Sequence, residues 1–316
     1  MTAVWIVGSS GLLGSALKRV HKRRDEKIFT PTERFQWSNE TELHAQLESA
    51  VKEFASFAGK GDAWEIYWAA GIGTMASTEA ELATETRTLA TLLRLIELES
   101  GLIATTGSIA FSSSAGAIYA GARDDIISEN TEVAPTTDYA KEKLRQENLL
   151  TDFTKGKSNI SILLARISTL YGPGQANGKR QGLLAHIARC ILRNQFVHIY
   201  VPLDTIRDYI TADDAASMMA AALFSIRGGS GVFTKIIASE KATTIAEIVS
   251  VFNRVARRRP RIVASASKLS SLYSRRIQFQ SIAVPIKEQV SKTSLLVGVA
   301  QVLTAERTSF TRAHDN

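Results

Sequence analysis

Apolar residues fall into two rhythms along this chain, and the rhythms take turns. Short runs dense in β-branched and aromatic residues read as buried strands at Val4 to Val7, Ile28-Phe29, Trp64 to Ala69, Ile109 to Ser112, Ile160 to Ala165 and Val232 to Ile237. Between the earlier runs the spacing changes to that of one helical face. Helices are predicted at Leu12 to Val20 (Leu13, Leu17 and Val20 on one side), 41–57, Thr78 to Glu99 and Tyr139 to Phe153. The long third helix carries Leu82, Leu89, Leu92, Leu93 and Ile96 as its apolar stripe. Alternation of this kind predicts an α/β fold of Rossmann type, a doubly wound parallel sheet with crossover helices. The second half is less regular. It holds a Gly/Pro/Asn-rich turn from Tyr171 to Gly182, a helix from Leu183 to Arg193, a strand–turn–helix stretch from Val197 to Ala222, and a helix from about Thr244 to Arg257. The expected division is a first domain over 1–170, to which 197–222 returns, and a smaller C-terminal domain over 171–316. Polar residues from Ala305 to Asn316 are expected to fray.

Composition narrows the setting. With 316 residues, 45% hydrophobic and 22% charged, the chain can bury one large core or two intimate ones. No apolar run approaches the ~18 residues of a membrane span, and Val4 to Val7 runs straight into glycines, unlike a signal peptide. A lone cysteine excludes an intramolecular disulfide and fits a reducing, cytoplasmic setting. That residue, Cys190, sits in the apolar segment Ile187 to Leu192 and reads as a buried structural thiol. The histidines (His21, His44, His186, His198 and His314) show no ligand spacing with one another or with Cys190, so no metal is expected. No G-x-S-x-G elbow is present, which argues against an α/β-hydrolase. The net charge of +7 collects at His21 to Arg24, at Arg257-Arg258-Arg259 with Arg261, and at Arg275-Arg276. None of these clusters interleaves with aromatics as a base-stacking platform would, which argues against nucleic acid. They read as solvated helix ends and loops, or as attraction for a diphosphate substrate.

Three constellations carry chemistry. Gly8-Ser9-Ser10-Gly11-Leu12-Leu13-Gly14 lies between the first strand and the first helix. A glycine-rich turn there points backbone N–H groups and the positive helix end at a pyrophosphate. The spacing is G-x-x-G-x-x-G, so position in the fold matters more than the glycines themselves. In Tyr139-Ala140-Lys141-Glu142-Lys143, the phenol and the Lys143 ammonium share a helix face, and a nearby cation is expected to lower the phenol pKa from about 10 into acid/base use. Finally, Phe111-Ser112-Ser113-Ser114 ends a strand expected to be central, placing a hydroxyl where it could share a substrate proton.

In this order and spacing the three resemble the extended short-chain dehydrogenase/reductase family, the NAD-dependent epimerase/dehydratase group. Trp68-Ala69-Ala70-Gly71 resembles the turn after that family's fourth strand, beside the cofactor. The segment from Ser112 to Tyr119 is similar to its serine-to-"VYG" stretch. Glu129, Pro135 and Tyr139 to Lys143 resemble "E…P…YxxxK". Leu164-Ala165-Arg166 with Tyr171-Gly172-Pro173-Gly174 is similar to "LR…YGPG", and Ile206 to Ile210 with Asp213-Asp214 to "vRDyi…D". The likeness runs from about residue 3 to about 250. It implies a cofactor held by Gly8, Ser10, Gly11, Leu12, Leu13, Gly14, Ala69, Ala70, Gly71, Tyr139 and Lys143. It implies Tyr139 as acid/base at a sugar oxygen, Lys143 beside it holding the ribose, and Ser114 bonding the same oxygen, with Ser113 as rival. Arg207 would meet the diphosphate of a nucleotide-sugar, the alternative being a structural salt bridge with Asp208 or Asp214. A homodimer through the helices at 78–99 and 139–153 is also implied.

Departures from the family pattern limit the reading. The acid that binds the adenosine ribose in NAD-preferring members should fall near Thr32, which is not acidic. Arg34 could neutralise a 2′-phosphate, which tips the expectation to NADP, while Glu33 could still reach the ribose of NAD. Ala115-Gly116 stand where the dehydratases carry an acidic pair, so 4,6-dehydration is not expected. Epimerases often have Asn near Thr169 to hold the nucleotide. A nucleotide-sugar 4-epimerase and a 4-keto reductase remain, since both need the same Ser/Tyr/Lys set. A reductase of a non-sugar carbonyl and a non-catalytic NAD(P)-binding regulator are the alternatives.

Overall fold

A computed structural model describes residues 2–59, 63–71, 73–75, 77–175, 182–264, 276–286 and 290–312. Its first half runs β1 (Thr2–Val7), α1 (Leu12–Arg23), β2 (Lys27–Phe29), α2 (Glu40–Ala58), β3 (Ala63–Trp68), α3 (Glu79–Leu98), α4 (Ser100–Ile103), β4 (Thr106–Ser114), α5 (Ala115–Ile118), α6 (Asp138–Phe153) and β5 (Ile160–Ile167). There follow β6 (Thr169–Tyr171), α7 (Leu183–Leu192), β7 (Phe196–Ile199), β8 (Ile206–Thr211), α8 (Ala212–Ile226), β9 (Gly231–Ile237), β10 (Ala242–Thr244), α9 (Ile245–Ala256), β11 (Arg261–Ala264) and α10 (Leu295–Arg312).

Six parallel strands form the large sheet in the order β2-β1-β3-β4-β5-β9. Every residue of β3 and β5 is buried, because helices cover both faces; most are apolar, and the buried Glu65, Ser161 and Arg166 are hydrogen-bonded. The pleat sorts β1: Ala3, Trp5 and Val7 join Phe54, Trp64 and Phe111 on one face, while Val4 and Ile6 join Leu17, Leu163 and Met219 on the other. Gly107 of β4 makes room for the indole of Trp64, since a Cβ there would lie 2.1 Å from the ring. Helix starts follow local chemistry. Asn39, Thr137 and Thr211 cap α2, α6 and α8, and Thr78–Glu81 and Thr244–Glu247 form capping boxes at α3 and α9.

The sheet is completed from further along the chain than 222. Strand β9 pairs with β5 at the edge, and α8 packs on α1. Within the stretch 197–222 expected to return, only α8 lies on the large sheet: β7 pairs with β11, and β8 pairs with β6 and β10. Strand formation was legible there, but pairing depends on partners far away in sequence. A separate core gathers Leu184, Ile187, Val197, Phe252, Val299 and Val302 from α7, β7, α9 and α10. The tail corrects another expectation, because α10 stays helical to Arg312 with Arg189 holding Glu306 at 2.9 Å. Residues 313–316, with His314, lie outside the described residues, as do 176–181 of the glycine-rich turn and Arg275. Among the described residues no helix is long and apolar enough to cross a membrane, and no cluster of His, Cys, Asp or Glu could hold a metal ion.

Candidate active site

A cleft of about 580 Å³ opens at the carboxyl ends of β1, β3, β4 and β5, where a doubly wound sheet binds its ligands. Its floor begins at the glycine loop. Gly8 adopts φ 85°, and a Cβ on it would lie 2.6 Å from the Ala70 amide nitrogen, so β1 and the Ala69-Ala70-Gly71 turn touch backbone to backbone. That turn follows β3, the third strand of this chain rather than a fourth. The Gly11 N–H donates to the Gly8 carbonyl at 3.0 Å and opens α1, which has neither a side-chain cap nor an acid in its first turn. The free N–H groups of that turn, and the positive end of the helix, therefore meet the cleft beside Ser10, Leu12 and Leu13. This cradle fits the diphosphate of a dinucleotide.

Gly14 is the tightest point of the cradle. Its missing Cβ would sit 2.1 Å from the Gly8 carbonyl oxygen, which is backbone and cannot swing away. Gly14→Ala is expected to displace the loop, costing ~1–3 kcal/mol as other overpacked sites do. NADH or NADPH fluorescence titration should show weakened binding; unchanged affinity would contradict the cradle.

Three successive serines at the end of β4 part company. Ser112 Oγ donates to the Trp68 carbonyl at 2.7 Å, and Ser113 Oγ donates to Glu147 Oε1 at 2.6 Å, where it is buried. Ser114 is the one that faces Tyr139 across the cleft wall and eases ionisation of its phenol. On α6, Tyr139 is half-buried at the cleft wall and Lys143 is buried one turn on. Lys143 Nζ lies 5.8 Å from the Tyr139 ring centre and 5.1 Å from that of Phe111. It donates to Gln146 Oε1 at 3.0 Å, and Gln146 Nε2 in turn donates to Thr86 Oγ1 at 3.0 Å.

The proton balance of the pair differs from the sequence expectation. Spacing alone predicted that Lys143 would lower the phenol pKa. Instead burial, and then the charge of Glu85, push Tyr139 up to about 12, against the relief that Ser114 provides. Burial pulls Lys143 below the usual lysine range, opposed by Glu85, Glu147 and Glu142. Glu85 comes from α3, lines the cleft, and accepts the Gly73 amide. Sequence reading passed over it. Its signal was a polar pair, Glu85-Thr86, set into the Leu82-Leu89-Leu93-Ile96 stripe of a helix that should be apolar there.

Across the cleft stand Thr169 on β6 and Arg207 on β8, beside Tyr209. Arg207 Nη1 donates to the Ile206 carbonyl at 2.8 Å. The acids proposed as its structural partners have other bonds. Asp208 accepts Ser168, Ser239 and Lys241, and Asp214 accepts the amide and hydroxyl of Thr293. Arg34 sits exposed on the loop after β2, outside the residues that line the cleft. On the same loop Thr32 gives its N–H and hydroxyl to Glu53. Cys190 is buried in α7, where burial pushes its thiol up.

Comparison with known proteins bears on this geometry. Residues 4–233 match the family described as the NAD dependent epimerase/dehydratase family. The chain belongs to that family. A dTDP-L-rhamnose 4-epimerase of Burkholderia thailandensis is 30% identical over 125 residues, which is 39% of this chain. The match spans 33% of that relative's length. The solved UDP-glucose 4-epimerase of Bifidobacterium longum, in complex with NAD+ and UDP, has a TM-score of 0.77 at 16% identity over 98% of both chains. RMD from Pseudomonas aeruginosa, complexed with NADPH, gives 0.76 at 18% identity over 98% of this chain and 100% of its own. At such identities the two structures establish the Rossmann-type fold of this epimerase/dehydratase family member.

Proposed function

We propose that this enzyme transfers hydride and proton at one carbinol or keto carbon of a nucleotide-diphosphate sugar, as a 4-epimerase or a 4-keto reductase. The observation that carries the reading is one cleft lined by Ser10 to Leu13 of the glycine-rich cradle, by Ser114, Tyr139 and Lys143, and by Arg207. A bound nicotinamide dinucleotide supplies the hydride chemistry. Tyr139 holds or gives the proton at the sugar oxygen, and Ser114 keeps phenol and substrate oxygen aligned. Lys143, beside the phenol, contributes a positive charge and a hand on the ribose. Arg207 offers a planar fork to the diphosphate, a fit that a point charge would not provide. Ala115 and Gly116, which begin α5 at the catalytic hydroxyl, bring no acid for elimination.

The cofactor is NADP in this reading, with Arg34 meeting the 2′-phosphate. Of the acids near that loop, Glu53 is engaged with Thr32. Helices α3 and α6 lie side by side and form the contact of a homodimer, and the enzyme works in the cytoplasm. UDP-, dTDP- and GDP-sugars incubated with enzyme and NAD+ or NADP+, and their 4-keto forms incubated with enzyme and NADH or NADPH, test the proposal through mass spectrometry and NMR of the products. Reduction adds two hydrogens; epimerisation leaves the mass unchanged and inverts one ring proton's coupling. A panel in which every sugar returns unaltered, from protein shown to bind a dinucleotide, overturns the proposal.

A further inference from the structure

Lys143 reaches the cleft with its ammonium already held from behind. Nζ donates to Gln146 Oε1 at 3.0 Å, and Gln146 Nε2 donates to Thr86 Oγ1 of α3 at 3.0 Å. Lys143 lines the cleft, whereas Gln146 and Thr86 stand outside its lining. All three are buried, Gln146 down to 2% exposure. The rings of Phe111 and Tyr139 flank the ammonium, at 5.1 and 5.8 Å from Nζ to ring centre. Among the described residues, Gln146 is its one hydrogen-bond partner.

Chemistry fixes which way that amide faces. An NH2 group turned to Lys143 would set donor against donor, so the carbonyl meets the ammonium. The amide nitrogen then needs an acceptor inside the protein, and Thr86 Oγ1 supplies it from the facing helix. Being neutral, the carbonyl holds the ammonium without cancelling its charge. The carboxylates nearest on α6 are matched elsewhere, Glu142 with Arg145 at 3.0 Å and Glu147 with Arg166 at 2.6 Å. An ammonium carries three donors, so a lysine spending one on Gln146 keeps two for the cleft.

We propose that Gln146, oriented by Thr86, is a positioning residue that aims Lys143 at the cofactor, taking one N–H and leaving two for the vicinal hydroxyls of the ribose. This rests on the reading of Lys143 as the residue that holds that ribose. An unanchored lysine would lose the freedom of several side-chain torsions each time a dinucleotide bound. Here that ordering is complete beforehand, and the cofactor meets a preset pair of donors. Position along α6 allows the contact, since residues three apart share a helix face.

The test compares two fragments on the full chain by calorimetric titration. ADP-ribose ends in the ribose that Lys143 holds in this reading, and ADP stops at the diphosphate. If NADPH binds more tightly than NADH, the 2′-phosphorylated forms of both fragments take their place. Gln146→Leu should weaken ADP-ribose by roughly tenfold and leave ADP unchanged. In a Lys143→Met background the same change should add nothing, because the group it positions is gone. Thr86→Val should weaken ADP-ribose as well, and Thr86→Ser, which restores the acceptor, should return it to the wild-type affinity. If Gln146→Leu loses its thermal transition, the Thr86 pair carries the comparison. Wild-type affinity for ADP-ribose in a folded Gln146→Leu or Thr86→Val, beside a weakened Lys143→Met, overturns the proposal alone. Equal losses for ADP and ADP-ribose, or a loss undiminished in the Lys143→Met background, overturn it too, marking Gln146 as merely structural. Lys143→Met that binds ADP-ribose as the wild type does overturns the ribose reading itself, and the proposal with it.

Discussion

Tyr139→Phe is expected to lower kcat by ~10²–10⁴-fold while leaving dinucleotide binding close to wild type, the range found when a positioned acid/base is removed. Phenylalanine keeps the ring against which Lys143 lies, 5.8 Å from Nζ to ring centre, and so preserves the packing of α6 on the cleft. What it removes is the hydroxyl beside Ser114 at the cleft wall. With that phenol pushed up to about 12, Tyr139 carries its proton at neutral pH, as an ordinary tyrosine does. Stopped-assay turnover together with nicotinamide fluorescence separates the two effects. A variant that turns over normally would remove Tyr139 from the chemistry, and one that fails to bind cofactor would assign it a different job.

The largest stability effect is expected beneath the site. Glu147 is 3% exposed, and it accepts Ser113 at 2.6 Å and a two-pronged grip from Arg166, Nε at 3.0 Å and Nη2 at 2.6 Å. Arg166, 8% exposed, uses Nη1 to reach the Tyr119 hydroxyl at 2.5 Å. Glu147→Ala would leave that guanidinium buried with no carboxylate and Ser113 with no acceptor, a loss of ~3–5 kcal/mol in urea unfolding. Arg19–Asp213 provides the contrast. Its contact is nearly as short, at 2.8 Å, but both side chains are more than two-fifths exposed, and Asp213→Ala should cost ~0–1 kcal/mol. Equal losses in the two variants would mean that burial is not what makes the Glu147 pair matter. Since β4 ends one residue after Ser113, the Glu147 variant should also slow turnover by letting Ser114 drift.

Much of this architecture could be read in advance because it is local. The runs at β1, β3, β4 and β5 are continuous and apolar, and each helix between them carries a stripe at helical spacing. Gly8 to Gly14 could be placed because strand, glycine turn and helix are adjacent in sequence. Helix α10 escaped because few of its residues are buried, among them Val299, Val302 and Leu303, and its polar end is held by Arg189 from a distant helix. The choice between Ser113 and Ser114 escaped for a different reason. Adjacent residues of a strand face opposite ways, so register decides which hydroxyl meets Tyr139 and which is buried against Glu147.

By itself, the sequence determined the parallel α/β plan, the glycine-rich turn between β1 and α1 and the shared face of Tyr139 and Lys143, all properties of residues within one or two turns of each other. Tertiary structure decided the rest. It brought Glu85 to a helix more than fifty positions away, moved β9 to the sheet edge, and set the proton affinity of Tyr139 through burial and a neighbouring carboxylate. Desolvation and charge act through space, with no fixed spacing along the chain for a reader of sequence to find.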